Sequence, residues 1–352
     1  MQMEKNKIIS IFSSIGCQNV GDELILKNEI ELLKKEFGEN TKFYVFTYDK
    51  KDIFVSSENI FYKEYFPIGI KNKKNIFRNI KNFFSFLNVV RKSDFVVVGG
   101  GGIIFDKENQ STKNPLDLWN FRTKIFRFFG KKIYFFRLGI DIKNEENLKK
   151  LKNIFKKYFK VVVRDKNSKN ILDHIGVSSE IQKDPVFYDD GDKKFEKDFC
   201  LKKIKSYDFS VSDLRNMDFD FAGKTVGIAF RSSYLVKKSN ISERMEEGKI
   251  REIINFLEKS GAKVILVPHS FHKNDPKAND YDFLKKFASD SVKILENMQE
   301  VYDIYKNKKM DLCLAMRLHS MVLAQVYEIP YVGVSYSLKT EEVLKIAFLP
   351  QS

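Results

Sequence analysis

Apolar residues in this chain come in short unbroken runs, separated by longer stretches where they recur every three or four positions. The runs predict strands and the stretches predict helices. Their regular alternation predicts parallel α/β layers. In the first half, strands are expected over residues 8–13, 42–47, 95–98, 132–136 and 161–164, with helices over 22–37, 116–129, 145–159 and 166–175. The second half repeats the scheme, with strands over 225–230, 263–267, 311–315 and 331–334 and helices over 249–259, 282–288, 298–306 and 318–327. Between the halves, 189–223 is polar, rich in Lys and Asp, and lacks a clean period. It reads as a connection carrying one short helix at 201–207 and another at 211–215. The fold expected is therefore α/β: two doubly wound, Rossmann-like domains facing a cleft, at 1–190 and 223–352, joined by 191–222.

The segment 76–90 is helical, with apolar positions at 76, 80, 83, 84 and 87 and basic flanks. That stripe is expected to cover a sheet face. A helix lying in a membrane interface is the alternative, and it leaves room for peripheral membrane contact.

Composition changes this picture little. The net charge of +15 invites a polyanion partner, but only 11 of the 62 basic residues are Arg. Lys, Asn, Ile and Phe are all abundant, as an A/T-rich genome produces without selection for polyanions, and the lysines alternate with Glu and Asp as on solvated faces. No nucleic-acid partner is expected. Cys17, Cys200 and Cys313 are far apart and form no metal-binding or disulfide pattern, which points to a reducing, cytoplasmic setting. No run of about 20 apolar residues spans a bilayer.

The chemistry concentrates in a few places. After the strand at 311–315 come Arg317, His319 and Ser320 at the first turn of a helix, and Lys339 follows the next strand. Unpaired N–H groups and the helix dipole favour an anion at such a turn, and ligands of open α/β sheets bind at this edge. Residues 13–23, SSIGCQNVGDE, form either a structural turn or a substrate loop in which Asn19 and Asp22 meet sugar hydroxyls. The run VVVGGGG at 96–102 needs positive φ or steric emptiness, and it could form an anion nest. Arg164 either meets an anion or pairs with Asp165 or Asp184. His269 and His272 lack a third metal ligand in any recognised motif, so no metal is expected.

Taken in order, these motifs resemble the polysaccharide pyruvyl transferase family across nearly the whole chain. The matching pieces are Asn19-Val20-Gly21-Asp22-Glu23, Gly99 to Gly102 with Asp106, Arg164-Asp165 with Ser168 and Leu172, and Asp184-Pro185. In the second half they are Pro268-His269, Asn279-Asp280, Arg317-Leu318-His319-Ser320, and Gly333-Val334-Ser335-Tyr336 with Lys339. The chain departs from the family at Arg137 to Asp141, where members often carry a Gly-rich segment ending in Gly-Pro.

The resemblance implies a glycosyltransferase-B-like fold and transfer of pyruvate from phosphoenolpyruvate onto a sugar of a cell-surface polysaccharide or its lipid-linked precursor. A pyruvate ketal forms and phosphate is released. Phosphoenolpyruvate is a co-substrate, and no cofactor is implied. His319, Arg317 and Lys339 would carry the catalysis, with Arg317, Lys339, Ser320 and Ser335 on the donor. Asn19, Asp22, Gly100, Gly101, Asp106 and Arg164 would meet the acceptor. The competing expectation is a glycosyltransferase using a nucleotide-sugar donor.

Overall fold

The predicted strands form, and their neighbours are set by burial on both faces. In a computed structural model the described residues are 6–50, 53–67, 75–106, 115–142, 144–192, 195, 197–205, 209–231, 243–273, 278–335 and 343–345. The chain divides into two units. One contains the residues up to Pro185 except Cys17–Gly21, and the other contains Cys17–Gly21 and the chain from Val186 to Phe348.

The first unit is built on β1 (Ile8–Phe12), β2 (Lys42–Thr47), β3 (Ile60–Glu64), β4 (Phe95–Phe105), β5 (Lys132–Asp141), β6 (Lys160–Val163) and β7 (Glu180–Ile181). They form one parallel sheet in the order β3-β2-β1-β4-β5-β6-β7. Ile9 and Ile11 of β1 point to one face, where they pack with Leu26, Ile30 and Leu33 of α1 (Val20–Phe37). Phe12 points to the other face. There it stacks on Phe46 at 4.2 Å and meets Phe86 of α2 (Ile76–Lys92) edge-on at 5.8 Å. α3 (Pro115–Phe128) adds Trp119 and Phe126 to that core. With both faces covered, each strand must be apolar on both sides, which is why the strands read as unbroken runs.

Three expectations change here. The strand predicted to end at Val98 continues to Phe105, straight through the glycine run. Gly100 and Gly101 take φ of +63° and +84°, and the register against β5 shifts between Gly101 and Ile104. A Cβ at Gly100 would fall on Ile25 of α1, and one at Gly99 would lie 2.5 Å from Glu29 Oε1. Both the backbone path and the contact with α1 therefore demand glycine. The helix expected over 145–159 is a short turn at Glu145–Asn147 followed by α4 (Leu148–Ile154). Finally, α2 covers the sheet through only part of the expected stripe. Phe83 and Leu87 pack against the core beside the buried Asn82, Phe86, Val89 and Val90, whereas Ile76, Ile80 and Phe84 are exposed.

The second unit contains β8 (Cys200–Lys205), β9 (Thr225–Ala229), β10 (Lys263–Leu266), β11 (Lys293–Ile294), β12 (Leu312–Ala315) and β13 (Tyr331–Ser335). They also form a parallel sheet, ordered β11-β10-β9-β12-β13-β8. In the first unit α5 (Lys166–His174) connects β6 and β7; between the strands of the second unit lie α6 (Val211–Arg215), α7 (Glu243–Lys259), α8 (Asp280–Leu284), α9 (Met298–Lys306) and α10 (Leu318–Val326). The helix expected at 201–207 is instead strand β8 at the sheet edge. Leu201 and Ile204 are three apart and fit a helical period, but only Ile204 is buried, and pairing with β13 decides the conformation. Its lysines suit an edge strand.

Both sheets reverse direction of growth once, between β1 and β4 and between β9 and β12. Those two points are the sites of ligand crevices in open α/β sheets.

Gly100→Ala is expected to destabilise the protein by about 2–4 kcal/mol in urea unfolding, combining left-handed strain with overpacking on Ile25. Gly130, at φ +64°, has nothing within 4 Å of an added Cβ. Gly130→Ala should therefore show only the backbone share, about 1–2 kcal/mol.

Candidate active site

The second unit's turning point lies at β9 and β12, and β12 runs directly into Arg317. Leu318 begins α10, Arg317 occupies its N-cap with extended φ and ψ (−75°, 142°), and no side chain caps the helix. Ser320 and Met321 donate their backbone N–H groups to the Arg317 carbonyl at 3.1 and 3.2 Å. The buried Ser320 hydroxyl donates to that same carbonyl at 2.7 Å, so it braces the turn from inside.

Two loops that are distant in sequence meet beside this turn. Asn19 bridges Ser270 in antiparallel fashion, Val20 N–H donates to the His269 carbonyl at 3.0 Å, and Phe271 N–H donates to the Gln18 carbonyl at 2.9 Å. The Asn19 side chain accepts from Gly21 N–H at 3.0 Å, which closes a tight turn. His319 packs against that turn, and a Cβ at Gly21 would fall on its imidazole ring, with Nδ1 nearest. Gly21 thus admits the His319 ring.

The Arg317 guanidinium is held by Asp280. Nε donates to Oδ2 at 2.9 Å and Nη2 to Oδ1 at 2.5 Å, and Nη2 also reaches the Ala278 carbonyl at 3.4 Å. Asp280 opens α8, where Asn279 caps by accepting from Asp282 N–H at 3.1 Å. Asp280 N–H donates to the Ser270 carbonyl at 2.8 Å. Burial pushes the Asp280 carboxyl above its ordinary value, against the opposing pull of Arg317. The pair is close to neutral as a unit, so Arg317 presents an oriented guanidinium and not an unbalanced charge.

His269 completes the cluster. It is fully buried, and its Nε2 lies 2.9 Å from the Tyr305 hydroxyl, which in turn lies 3.5 Å from Cys313 Sγ. Burial first, then Arg317 and His319, hold its pKa well below the ordinary histidine value. It is a neutral structural group beside Arg317 and His319. Among the described residues no three His, Cys, Asp or Glu side chains gather as a metal site.

Other expected site residues have different settings. Ser335 ends β13. Lys339 lies outside the described residues. Asp106 accepts from Asn144 N–H at 2.6 Å and from Asn147 Nδ2 at 2.9 Å, so it fastens the loop after β5. Arg164 pairs with the buried Asp184 at 2.6 Å, one of the partners expected for it. It packs over Gly139, where a Cβ would lie 2.9 Å from Nε. Asp165 caps α5 by accepting from Ser168 N–H at 2.7 Å. Asp22 stands in the first turn of α1, 3.7 Å from where a Cβ of Gly101 would be.

The sequence reading missed Asp280 as the partner of Arg317 and Gly21 as the seat of His319. It also missed Glu29. This residue falls four positions after Ile25 and four before Leu33 on the buried stripe of α1, a signal present in the sequence. Glu29 is wholly buried against Gly99 and Gly100, and neither carboxylate oxygen has a hydrogen-bond partner among the described residues. Burial raises its pKa to about 8, opposed by Arg137.

Removing Arg317 leaves Asp280 buried without its counter-charge. Arg317→Ala should lower unfolding free energy by about 3–5 kcal/mol, and adding Asp280→Asn should recover most of it, as read by urea titration. Glu29 makes a separate prediction. Its folded pKa lies above the unfolded one, so the folded state holds the extra proton and stability is greatest at low pH. Stability should then fall by about 1.4 kcal/mol per pH unit as pH rises from about 4.5 to 8. Glu29→Gln should flatten that slope in thermal midpoints measured across the same range.

The model of the polysaccharide pyruvyl transferase family matches residues 19–337. A comparison with curated protein sequences finds no match. Among solved structures, HepE of Anabaena in complex with UDP and glucose is similar at 14% identity and TM-score 0.50, with 97% of this chain and 89% of that chain covered. The UDP-GlcNAc 2-epimerase of Neisseria meningitidis bound to UDP-GlcNAc is similar at 11% identity and TM-score 0.52, with 96% and 85% covered. At such identities the structural likeness establishes the two-domain, glycosyltransferase-B-like Rossmann fold and nothing finer. The family model, spanning nearly the whole chain, carries the rest: this protein belongs to the polysaccharide pyruvyl transferase family and is a transferase acting on polysaccharide.

Proposed function

We propose that the protein transfers pyruvate from phosphoenolpyruvate to a saccharide acceptor, free or carried on a lipid, forming a cyclic ketal and releasing phosphate. The observation that carries this reading is His319 at the first turn of α10, seated against Gly21 and beside the Arg317–Asp280 pair. A helix start without a side-chain cap favours an anion. Phosphoenolpyruvate supplies two anionic groups, a carboxylate and a phosphate. Arg317, turned by Asp280, is suited to one of them through directional N–H donation, and Lys339 is assigned to the other.

His319 is the general acid. It delivers a proton to C3 of the enol, so the methylene becomes a methyl group and positive charge develops at C2. An acceptor hydroxyl attacks C2, and its proton returns to the imidazole. The C2–O bond to phosphate then breaks, and a second hydroxyl of the same sugar closes the ketal ring while its proton leaves with phosphate. The cations and the α10 N–H groups stabilise the departing phosphate. On the acceptor side, Asp22 and Asn19 remain candidates, together with the glycine backbone at Gly100 and Gly101. The hydrogen bonds of Asp106 and the ion pair of Arg164 favour positioning roles for those two.

Titration calorimetry with phosphoenolpyruvate and with UDP-sugars tests the donor. Binding of phosphoenolpyruvate is expected, and binding of a nucleotide sugar alone would favour the glycosyltransferase reading. His319→Ala should lower turnover by about a hundredfold or more while phosphoenolpyruvate binding persists. Near-normal turnover in that variant would exclude the acid role.

A further inference from the structure

Part of the apolar stripe of α2 that was expected to cover the sheet lies on the outside of the first unit. Phe77 and Phe84 are 86% and 65% exposed, and Ile76 and Ile80 are exposed beside them. At 100° per residue, 76, 77, 80 and 84 occupy one arc opposite the buried 82, 86, 89 and 90. α3 packs on the same side of the sheet, with Phe86 and Phe126 rings 6.1 Å apart. It also exposes aromatic residues, Phe121 and an 84% exposed Phe128. Isolated surface apolar residues are ordinary. An aromatic face shared by two neighbouring helices is not.

Charge identifies what this face fits. Lys81 and Arg91 flank the α2 stripe, and Lys124 lies between Phe121 and Phe128 on α3; all three are exposed. At the start of α2, Lys50, Arg78, Lys81 and Phe77 line an open pocket of about 450 Å³ together with Glu64 and Asn82. Glu64 balances Arg78 through two hydrogen bonds at 2.9 and 3.0 Å and accepts a third from Asn82 at 3.1 Å. Three lining cations against the carboxylate of Glu64, with Asp49 also acting on Arg78, leave a small positive excess at the pocket, next to the most exposed phenylalanine. A soluble protein partner would be suited by an apolar centre with a polar rim. Here the phenylalanines and cations are interleaved along two neighbouring helices, as on helices that lie in a bilayer interface, where long basic side chains reach the headgroups. Among the described residues no helix is long and apolar enough to cross a membrane.

We infer that the α2–α3 face docks on an anionic phospholipid surface, with its aromatic side chains in the interface and the Lys50–Arg78–Lys81 pocket receiving a phosphate headgroup. The docking holds whatever donor the enzyme uses, because no residue of the α10 site takes part. It places the first unit against the bilayer that would carry a lipid-linked saccharide.

Vesicle co-sedimentation of the full chain tests this, with phosphatidylcholine alone compared with phosphatidylcholine mixed with phosphatidylglycerol. Binding to the mixed vesicles is expected, weakened by salt. It should fall about tenfold or more in the Phe77→Ser, Phe84→Ser double variant and in the Lys81→Glu, Arg91→Glu variant. Both should keep wild-type thermal midpoints, since these side chains are exposed. Failure of the wild type to bind mixed vesicles would overturn the inference, as would equal binding by the variants. So would wild-type self-association in sedimentation velocity that Phe77→Ser, Phe84→Ser abolishes, because a second copy would then be the occupant.

Discussion

In a parallel sheet with helices on both faces, every strand interior must be apolar, so polar and charged groups are driven to the strand ends. The inner strands here obey that constraint closely, Ser10 of β1 being a buried exception, and the chemistry of the chain follows from it. Ile9, Ile11 and Phe12 divide between two cores, and the next residues onward are the polar turn leading to Gly16 and Asn19. Leu312 to Met316 are buried without interruption, and Arg317 is the first residue free to be charged. It meets Asp280 because the strand order brings the loop after β10 next to the end of β12, through β9.

That pair alters how the site works. A lone arginine at a helix start would act as a diffuse attractor of anions. Held by two hydrogen bonds to a buried carboxylate, it is fixed in direction and nearly balanced in charge, so it offers orientation more than attraction. The neighbouring histidine is restricted differently. The missing side chain at Gly21 gives it a seat, and buried, neutral His269 adds no competing charge. The glycine run of the first unit follows the same logic with opposite chemistry. Its emptiness is filled by Ile25 and by Glu29, an acid kept largely protonated by burial.

The first unit shows a second consequence of covering a sheet. α2 needs only one apolar stripe to do so, and it has two. Residues 82, 86, 89 and 90 satisfy the core, which leaves 76, 77, 80 and 84 without a fold-stabilising task. Periodicity marked 76, 80 and 84 of the outer face together with Phe83 and Leu87, which do pack on the core, and it passed over Asn82, a weak apolar signal at the start of the inner stripe. Asn82 is tolerated inside because it donates to Glu64 at 3.1 Å and to the Tyr65 carbonyl at 3.3 Å.

By itself the sequence determined the inner strands of both sheets, the alternation and the ordered series of motifs, since runs, periods and turn residues are local properties of the chain. That was enough for the fold class and the family, and for choosing Arg317 and His319. Tertiary structure decided which groups pair. Asp280 lies 37 positions from Arg317, and Gly21 lies almost the full chain from His319. Neither spacing follows from any period. Whether Asp106 and Arg164 meet a ligand or fasten a loop depends on Asn144, Asn147, Asp184 and Gly139, which approach only when β4, β5 and β6 align. Edge strand β8 was misread for the same reason: a short L-x-x-I pattern fits either conformation, and the partner strand chooses.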